Sequence, residues 1–95
     1  MPNHRVCREI VETDEFADEL AALISDARRA DEFIDAAKWL LCRFPMQGTL
    51  LTHNPAVWFL PVNASRTVTP VVLYYTFTTK QVFFLSIRRG EVAGE

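Results

Sequence analysis

Ninety-five residues, with 49% hydrophobic, 12% aromatic and 23% charged side chains, describe one domain over residues 1–95, because chains divide into separate cores only at roughly two or three times this length. A net charge of −2, with only three Gly and five Pro, excludes a basic nucleic-acid coat, a disordered tail and a collagen-like repeat. The halves differ, since residues 1–47 hold six Lys/Arg against ten Asp/Glu and residues 48–95 hold four against two.

Residues 5–12 are rich in β-branched side chains and end at Thr13, which predicts a short first strand. Thr13 suits an N-cap, with Asp14 and Glu15 in the first turn beside the positive end of the helix dipole. Phe16, Leu20, Leu23, Ile24 and Ala27 then recur at helical spacing. A second stripe opens at Asp31 and runs through Phe33, Ala37, Leu40, Leu41 and Phe44. Asp-Glu-Phe heads both stripes, which fits either two similar helix starts or an old duplication. A connection through Arg28-Arg29-Ala30 is short enough to make the pair an antiparallel hairpin.

Pro45 and Gly48 stop the second helix, and the period changes. Strands are predicted at 57–62, 71–77 and 82–88, joined by a polar loop around Asn63-Ala64-Ser65-Arg66 and a tight hairpin at Thr78-Thr79-Lys80-Gln81. The order is β-α-α-β-β-β, an α+β domain with a helical hairpin packed on a mostly antiparallel four-stranded sheet. The uncharged run at 47–65 is broken by Pro, Asn and His, and the N-terminus has no apolar signal core, so a cytoplasmic chain without membrane contact is expected. Cys7 and Cys42 are too few for a disulfide framework and lack zinc-site spacing, which predicts free thiols, no metal and no cofactor.

Strand alternation sends Val71, Leu73, Tyr75 and Phe77 one way and Val72, Tyr74 and Thr76 the other. By the same rule Phe83, Leu85 and Ile87 oppose Val82, Phe84, Ser86 and Arg88, while Trp58 and Leu60 oppose Val57 and Phe59. The sheet is therefore apolar on both faces, where a half-solvated sheet would alternate apolar with polar. Two helices cover one face only. The other, with aromatics from three strands, either curls onto itself or is docked by a partner, and the partner is favoured. Trp58, Leu60, Val72 and Phe84 are the candidate contacts. Trp39 and Cys42 lie off the second helix's stripe, and Trp39 is either buried in a thin domain or joins that surface.

Chemistry is sparse. Ser25, Ser65 and Ser86 have no His partner within a recognisable trio, His4 and His53 are isolated, and the carboxylates fall at solvent-facing helical spacing. With glycines only at 48, 90 and 94 there is no phosphate-cradling loop. What remains is a set of cations, Arg66, Lys80, Arg88 and Arg89, with Tyr74 and Tyr75 mid-sheet. Such groups can stabilise a scissile phosphate and shuttle protons without a metal, or they can simply guard the ends of a sheet with charge.

Taken together, the N-terminal strand, the helical hairpin, the break at Pro45-Met46-Gln47-Gly48, the run Val71-Val72-Leu73-Tyr74-Tyr75-Thr76-Phe77, a polar hairpin and the run Val82-Phe83-Phe84-Leu85-Ser86-Ile87-Arg88-Arg89 resemble the RelE/ParE superfamily of bacterial type II toxins. The likeness spans nearly the whole chain. It implies a small toxin neutralised by a cognate antitoxin that wraps the helices or the sheet. It also implies one of two actions: poisoning of DNA gyrase by binding, or cleavage of messenger RNA on the ribosome using Arg88, Arg89, Lys80 and Tyr74 or Tyr75. Ribosome-dependent members carry lysines on the strand matching 57–62 and an arginine where Val71 stands; here neither is present, so the gyrase-type action is expected first. A non-toxic interaction module, or a homodimer using the same sheet face, is the remaining reading.

Overall fold

A computed structural model describes residues 7–24, 26–62 and 71–89. In chain order these form β1 (Glu9–Glu12), α1 (Asp14–Leu23), α2 (Ala27–Arg43), a 3-10 turn (Pro45–Gln47), β2 (Thr49–His53), β3 (Ala56–Val62), β4 (Val71–Phe77) and β5 (Gln81–Arg89). The class is α+β, with two helices against a mixed sheet of five strands in the order β1-β5-β4-β3-β2. β1 lies parallel to β5, and the other neighbours are antiparallel. The expected four-stranded sheet is thus one strand short. β2 is almost wholly exposed and its two leucines, Leu50 and Leu51, are adjacent, so it has no hydrophobic alternation to announce it; it pairs with β3 across a turn at Asn54-Pro55, whose peptide bond is cis.

Thr13 caps α1, its Oγ1 accepting from the Phe16 amide at 3.2 Å and donating to the Phe84 carbonyl at 2.9 Å, so the cap also fastens the helix start to β5. α2 begins earlier than Asp31 because Asp26 Oδ1 accepts from the Arg28 and Arg29 amides at 3.0 and 3.4 Å. α1 ends at Leu23 and α2 begins at Ala27, so Arg28-Arg29-Ala30 is already helical. The loop around Arg66 lies outside the described residues.

The core joins Phe16, Phe33, Ile34, Ala37 and Leu41 of the helices to Val71, Leu73, Tyr75, Val82, Phe84 and Ile87 of β4 and β5. The two Asp-Glu-Phe segments each put their Phe into it, the second from inside α2, and the Phe16 and Phe84 rings meet edge-on with centroids 5.2 Å apart. Tyr75 is the one core side chain with a polar end. Its hydroxyl donates to the Pro45 carbonyl at 2.6 Å and accepts from the Gly48 amide at 3.0 Å. A Cβ on Gly48 would stand 2.5 Å from both that hydroxyl and the Phe59 carbonyl, which is why the break after α2 needs glycine. Burial pushes the Tyr75 phenol above its ordinary pKa, against the lowering effect of the Gly48 amide.

A bulge in β5 decides which side chains face inward. Tyr75 pairs with Phe84 and Tyr74 with Ser86, so Leu85 is an extra residue and the alternation reverses there. Phe84 is fully buried, contrary to its expected place on the outer face, and inward positions run Val82, Phe84, Ile87. Trp58 and Leu60 are corrected too. They pair with Tyr75 and Leu73, which puts them on the helix side, packed against the core. Alternation within one strand cannot show this, because only register relates one strand's faces to its neighbour's.

Cys7 and Cys42 are joined in a disulfide, contrary to the expected free thiols, at a sequence separation of 35. The parallel seat of β1 brings Cys7 to the end of α2, where the Arg8 amide donates to the Cys42 carbonyl at 2.9 Å. Replacing both cysteines by serine should lower stability by about 3–4 kcal/mol, the chain-entropy value for a loop of this size; denaturant melts of the oxidised protein measure it, and a thiol titration finding two reactive groups in the native protein would contradict the bridge. Tyr75→Phe leaves the buried Pro45 carbonyl and Gly48 amide without their partner and should cost about 1–3 kcal/mol in the same melts.

Candidate functional site

Residues opposite one another in a ladder share a face, so the pairings assemble the side of the sheet turned away from the helices. Phe59, Tyr74 and Ser86 form one row across β3, β4 and β5; Pro61, Val72 and Arg88 form the next; Thr76 and Phe83, with Val11 of β1, form a third. Phe59, Val72, Tyr74 and Phe83 are all half-buried, and none belongs to the buried core. Three strands thus contribute aromatics to this face, as the sequence implied. They are Phe59, Tyr74 and Phe83, whereas Trp58, Leu60 and Phe84 point the other way. Of the expected contacts only Val72 lies here. Trp39 is on α2, 59% exposed, with the Arg43 guanidinium 4.7 Å over its ring. Pro61 has no amide hydrogen to give a ladder; it lies opposite Val72 of β4, and on its other side it is past the end of β2, where no strand is paired with it.

The polar corner of this face is built around Arg88. β1 covers the outer edge of β5 only as far as Phe84, and Glu19 of α1 reaches the edge beyond it. One Glu19 carboxylate oxygen accepts from the Ser86 hydroxyl at 2.6 Å and from the Ile87 amide at 3.0 Å. Arg88 donates from Nε to Ser86 Oγ at 3.1 Å, and its Nη2 lies 3.5 Å from the other Glu19 oxygen. The Ser86 hydroxyl, foremost, and then the Ile87 amide hold the Glu19 carboxyl below its usual pKa; desolvation opposes them and Arg88 assists. A shallow hollow of about 280 Å³ is lined by Tyr74, Ser86 and Arg88.

The four expected catalytic residues do not converge. Tyr74 and Arg88 share the hollow. Arg89 pairs with Val71, whose side chain is in the core, so it belongs to the helix side. Lys80 stands before the first residue of β5 and Arg88 near its last, a separation of about 25 Å at the rise of an extended strand. Tyr75 is buried and its hydroxyl is already bonded at both lone pair and proton. Glu19 and Ser86 are the partners that sequence reasoning missed. Helical spacing marks Glu19 as solvent-facing, and nothing local to Ser86 signals a carboxylate 67 residues away.

No group of His, Cys, Asp and Glu able to hold a metal occurs among the described residues, and none of their helices is long and apolar enough to cross a membrane. Comparison of the chain with family models, with curated proteins and with solved structures finds no match in any of the three.

Because Glu19 is more acidic folded than unfolded, its contribution to stability is complete above the unfolded carboxyl pKa of about 4.3 and disappears as pH falls through the lower folded value. Melts of the native protein and Glu19→Gln, run from about pH 2 to about pH 7, should therefore differ most near neutrality and converge in acid. A difference that stays constant with pH would mean that the carboxylate charge is not what Ser86 and Ile87 respond to.

Proposed function

We propose that the chain is the toxin of a bacterial type II toxin-antitoxin module of RelE/ParE type, that it inhibits growth by binding its target in the manner of gyrase poisons, and that a cognate antitoxin neutralises it by covering the outer face of the sheet. The observation that carries this reading is the row structure of that face. Phe59, Val72, Tyr74 and Phe83 form a half-buried apolar strip across three strands, and among the described residues no helix or strand packs over it. A helical hairpin seated on one side of a largely antiparallel sheet, with an N-terminal strand along its edge, is in keeping with the family likeness.

Binding is favoured over phosphodiester cleavage on geometric grounds. Cleavage needs several groups within a few ångströms of one phosphate, whereas Lys80 stands at the opposite end of β5 from Arg88 and Arg89 lies on the other face of the sheet from Tyr74. Arg88 is near, but Glu19 already engages it, so a phosphate would have to displace a carboxylate. The proposed location is the cytoplasm, where the Cys7–Cys42 bridge would meet reducing conditions. Assays therefore belong in both oxidised and reduced protein.

Regulated expression should arrest growth, and co-expression of the short neighbouring reading frame should relieve the arrest and yield a stable complex. Purified protein should inhibit gyrase supercoiling, with Tyr74→Asp and Phe83→Asp losing antitoxin binding while retaining the fold. Unaffected growth in both redox states would remove the toxin reading. The second reading, a ribosome-dependent messenger RNA endonuclease, draws on the Tyr74, Ser86 and Arg88 hollow alone. Arrest with intact gyrase and cut transcripts, abolished by Arg88→Ala, would replace the first reading with the second. A homodimer through the same strip would sediment as a dimer, and the two Asp variants would make it monomeric.

A further inference from the structure

We infer that a second surface, the groove between the C-terminal end of α2 and the end of β4, docks an acidic segment of a partner protein in which an apolar side chain neighbours the carboxylate. The groove has a volume of about 420 Å³ and is lined by Arg8, Arg43, Phe44, Pro45, Met46 and Phe77. Phe77 pairs with the buried Val82, so the groove opens on the helix side and is separate from the strip described above. The inference does not depend on the toxin reading.

Charge complementarity argues for the acidic half. The chain is acidic overall, and three cations pair with carboxylates, Lys38 with Glu12 at 2.9 Å, Arg88 with Glu19 at 3.5 Å and Arg29 with Asp26 at 4.0 Å. Among the described residues, Arg8 and Arg43 are the unpaired cations that line the groove together. Arg8 donates from Nε to the Thr78 carbonyl at 2.8 Å with its guanidinium 5.8 Å from the Phe77 ring centre. Arg43 donates from Nη1 to the Trp39 carbonyl at 3.0 Å while lying over the Trp39 ring. Each is held by one end and by a ring face, which leaves further N–H groups for a carboxylate and little side-chain entropy to lose on binding one. Each also follows a bridged cysteine directly, so the Cys7–Cys42 link and the Arg8 amide bond to the Cys42 carbonyl fix the two backbones side by side.

The rim argues for the apolar half and for a polypeptide over a small acid. Met46 is 68% exposed and Phe44 45%, and with Trp39 they put three large apolar side chains at the surface within eight residues. Met adapts its shape to an incoming side chain, and Trp and Arg are the residue types most often found carrying binding energy at interfaces. The patch continues along α2 past the groove to Trp39, farther than a single small carboxylate could cover.

Fluorescence anisotropy with a labelled peptide alternating Glu and Leu tests the inference on the oxidised full chain. Saturable binding is expected, weakened at least about tenfold by Arg8→Ala, by Arg43→Ala and by Gln in place of Glu in the peptide, the loss of one charge-assisted hydrogen bond being enough. Met46→Ala, a surface change that leaves the fold untouched, should weaken it several-fold, and Arg29→Ala should not change it. Far-ultraviolet circular dichroism checks that each variant is folded. Equal binding of the Gln peptide, equal binding of a Glu-only peptide, or unchanged affinity in both arginine variants would each overturn the inference, as would absence of binding at about 1 mM. Displacement of the peptide by inorganic phosphate with the same affinity would reduce the groove to a general anion site and overturn it as well. Growth arrest and gyrase inhibition are read in separate assays, so neither result decides the other.

Discussion

The inward row of β5 is the constraint to which the other elements answer. β5 has β4 on one side and β1 on the other, its carbonyl at Phe84 receives both the amide and the hydroxyl of Thr13, and its far edge receives Glu19. Without the extra residue at Leu85, strict alternation from Val82 and Phe84 would carry Ser86 and Arg88 into the core and expel Ile87. Burying an Arg without a partner costs several kcal/mol by order of magnitude, whereas a buried Ile contributes about 1.5–3 kcal/mol. The bulge removes that conflict. It moves Ile87 inward and leaves Arg88 at the surface, where Ser86 and Glu19 can engage it.

The two halves of the chain differ in composition, and polar contacts join them at chosen points. Tyr75 ties β4 to the turn after α2, Thr13 ties the start of α1 to the bulge, and Glu19 occupies an edge amide that β1 is too short to reach. All three sit where a backbone group would otherwise lose its partner at the margin of the core, so their value lies mainly in the penalty they avoid. The Cys7–Cys42 bridge acts at the opposite end of α2 from the helix connection and closes the remaining gap between β1 and the helices.

What could be read from the sequence follows from the range of the interactions involved. The limits of β4 at Val71–Phe77 and the cap at Thr13 rest on local periodicity and capping chemistry, and both agree with the structure. The start of α2 did not, because Asp31 and Asp26 are equally good caps and only tertiary packing separates them. Phe84, Trp58 and Leu60 face the helices and not, as alternation within each strand suggests, the outside, because one inserted residue and two pairing registers, each a relation between strands, set their direction. The disulfide and the Glu19 contact to Ser86 are long-range pairs with no local mark. The outer face was legible as a quantity of apolar surface, and illegible as a set of residues.

The same distinction governs the cations. Read linearly, Lys80, Arg88 and Arg89 are one basic cluster in the second half of the chain. In the fold they part to the two ends of a single nine-residue strand, with Arg88 and Arg89 at its finish and Lys80 at the β4–β5 turn. Lys80 lies instead beside the first half of the protein. Its carbonyl accepts from the Glu9 amide at 2.9 Å, and the neighbouring Thr78 carbonyl accepts from Arg8. The basic groups therefore regroup as two separate fringes, Arg88 with Tyr74 on the outer face and Arg8 with Arg43 beside the groove, while Arg89 turns to the helix side. Groups split in this way cannot act together on one phosphate. Each fringe instead borders an apolar surface, the arrangement by which charge orients an incoming chain while the apolar part holds it.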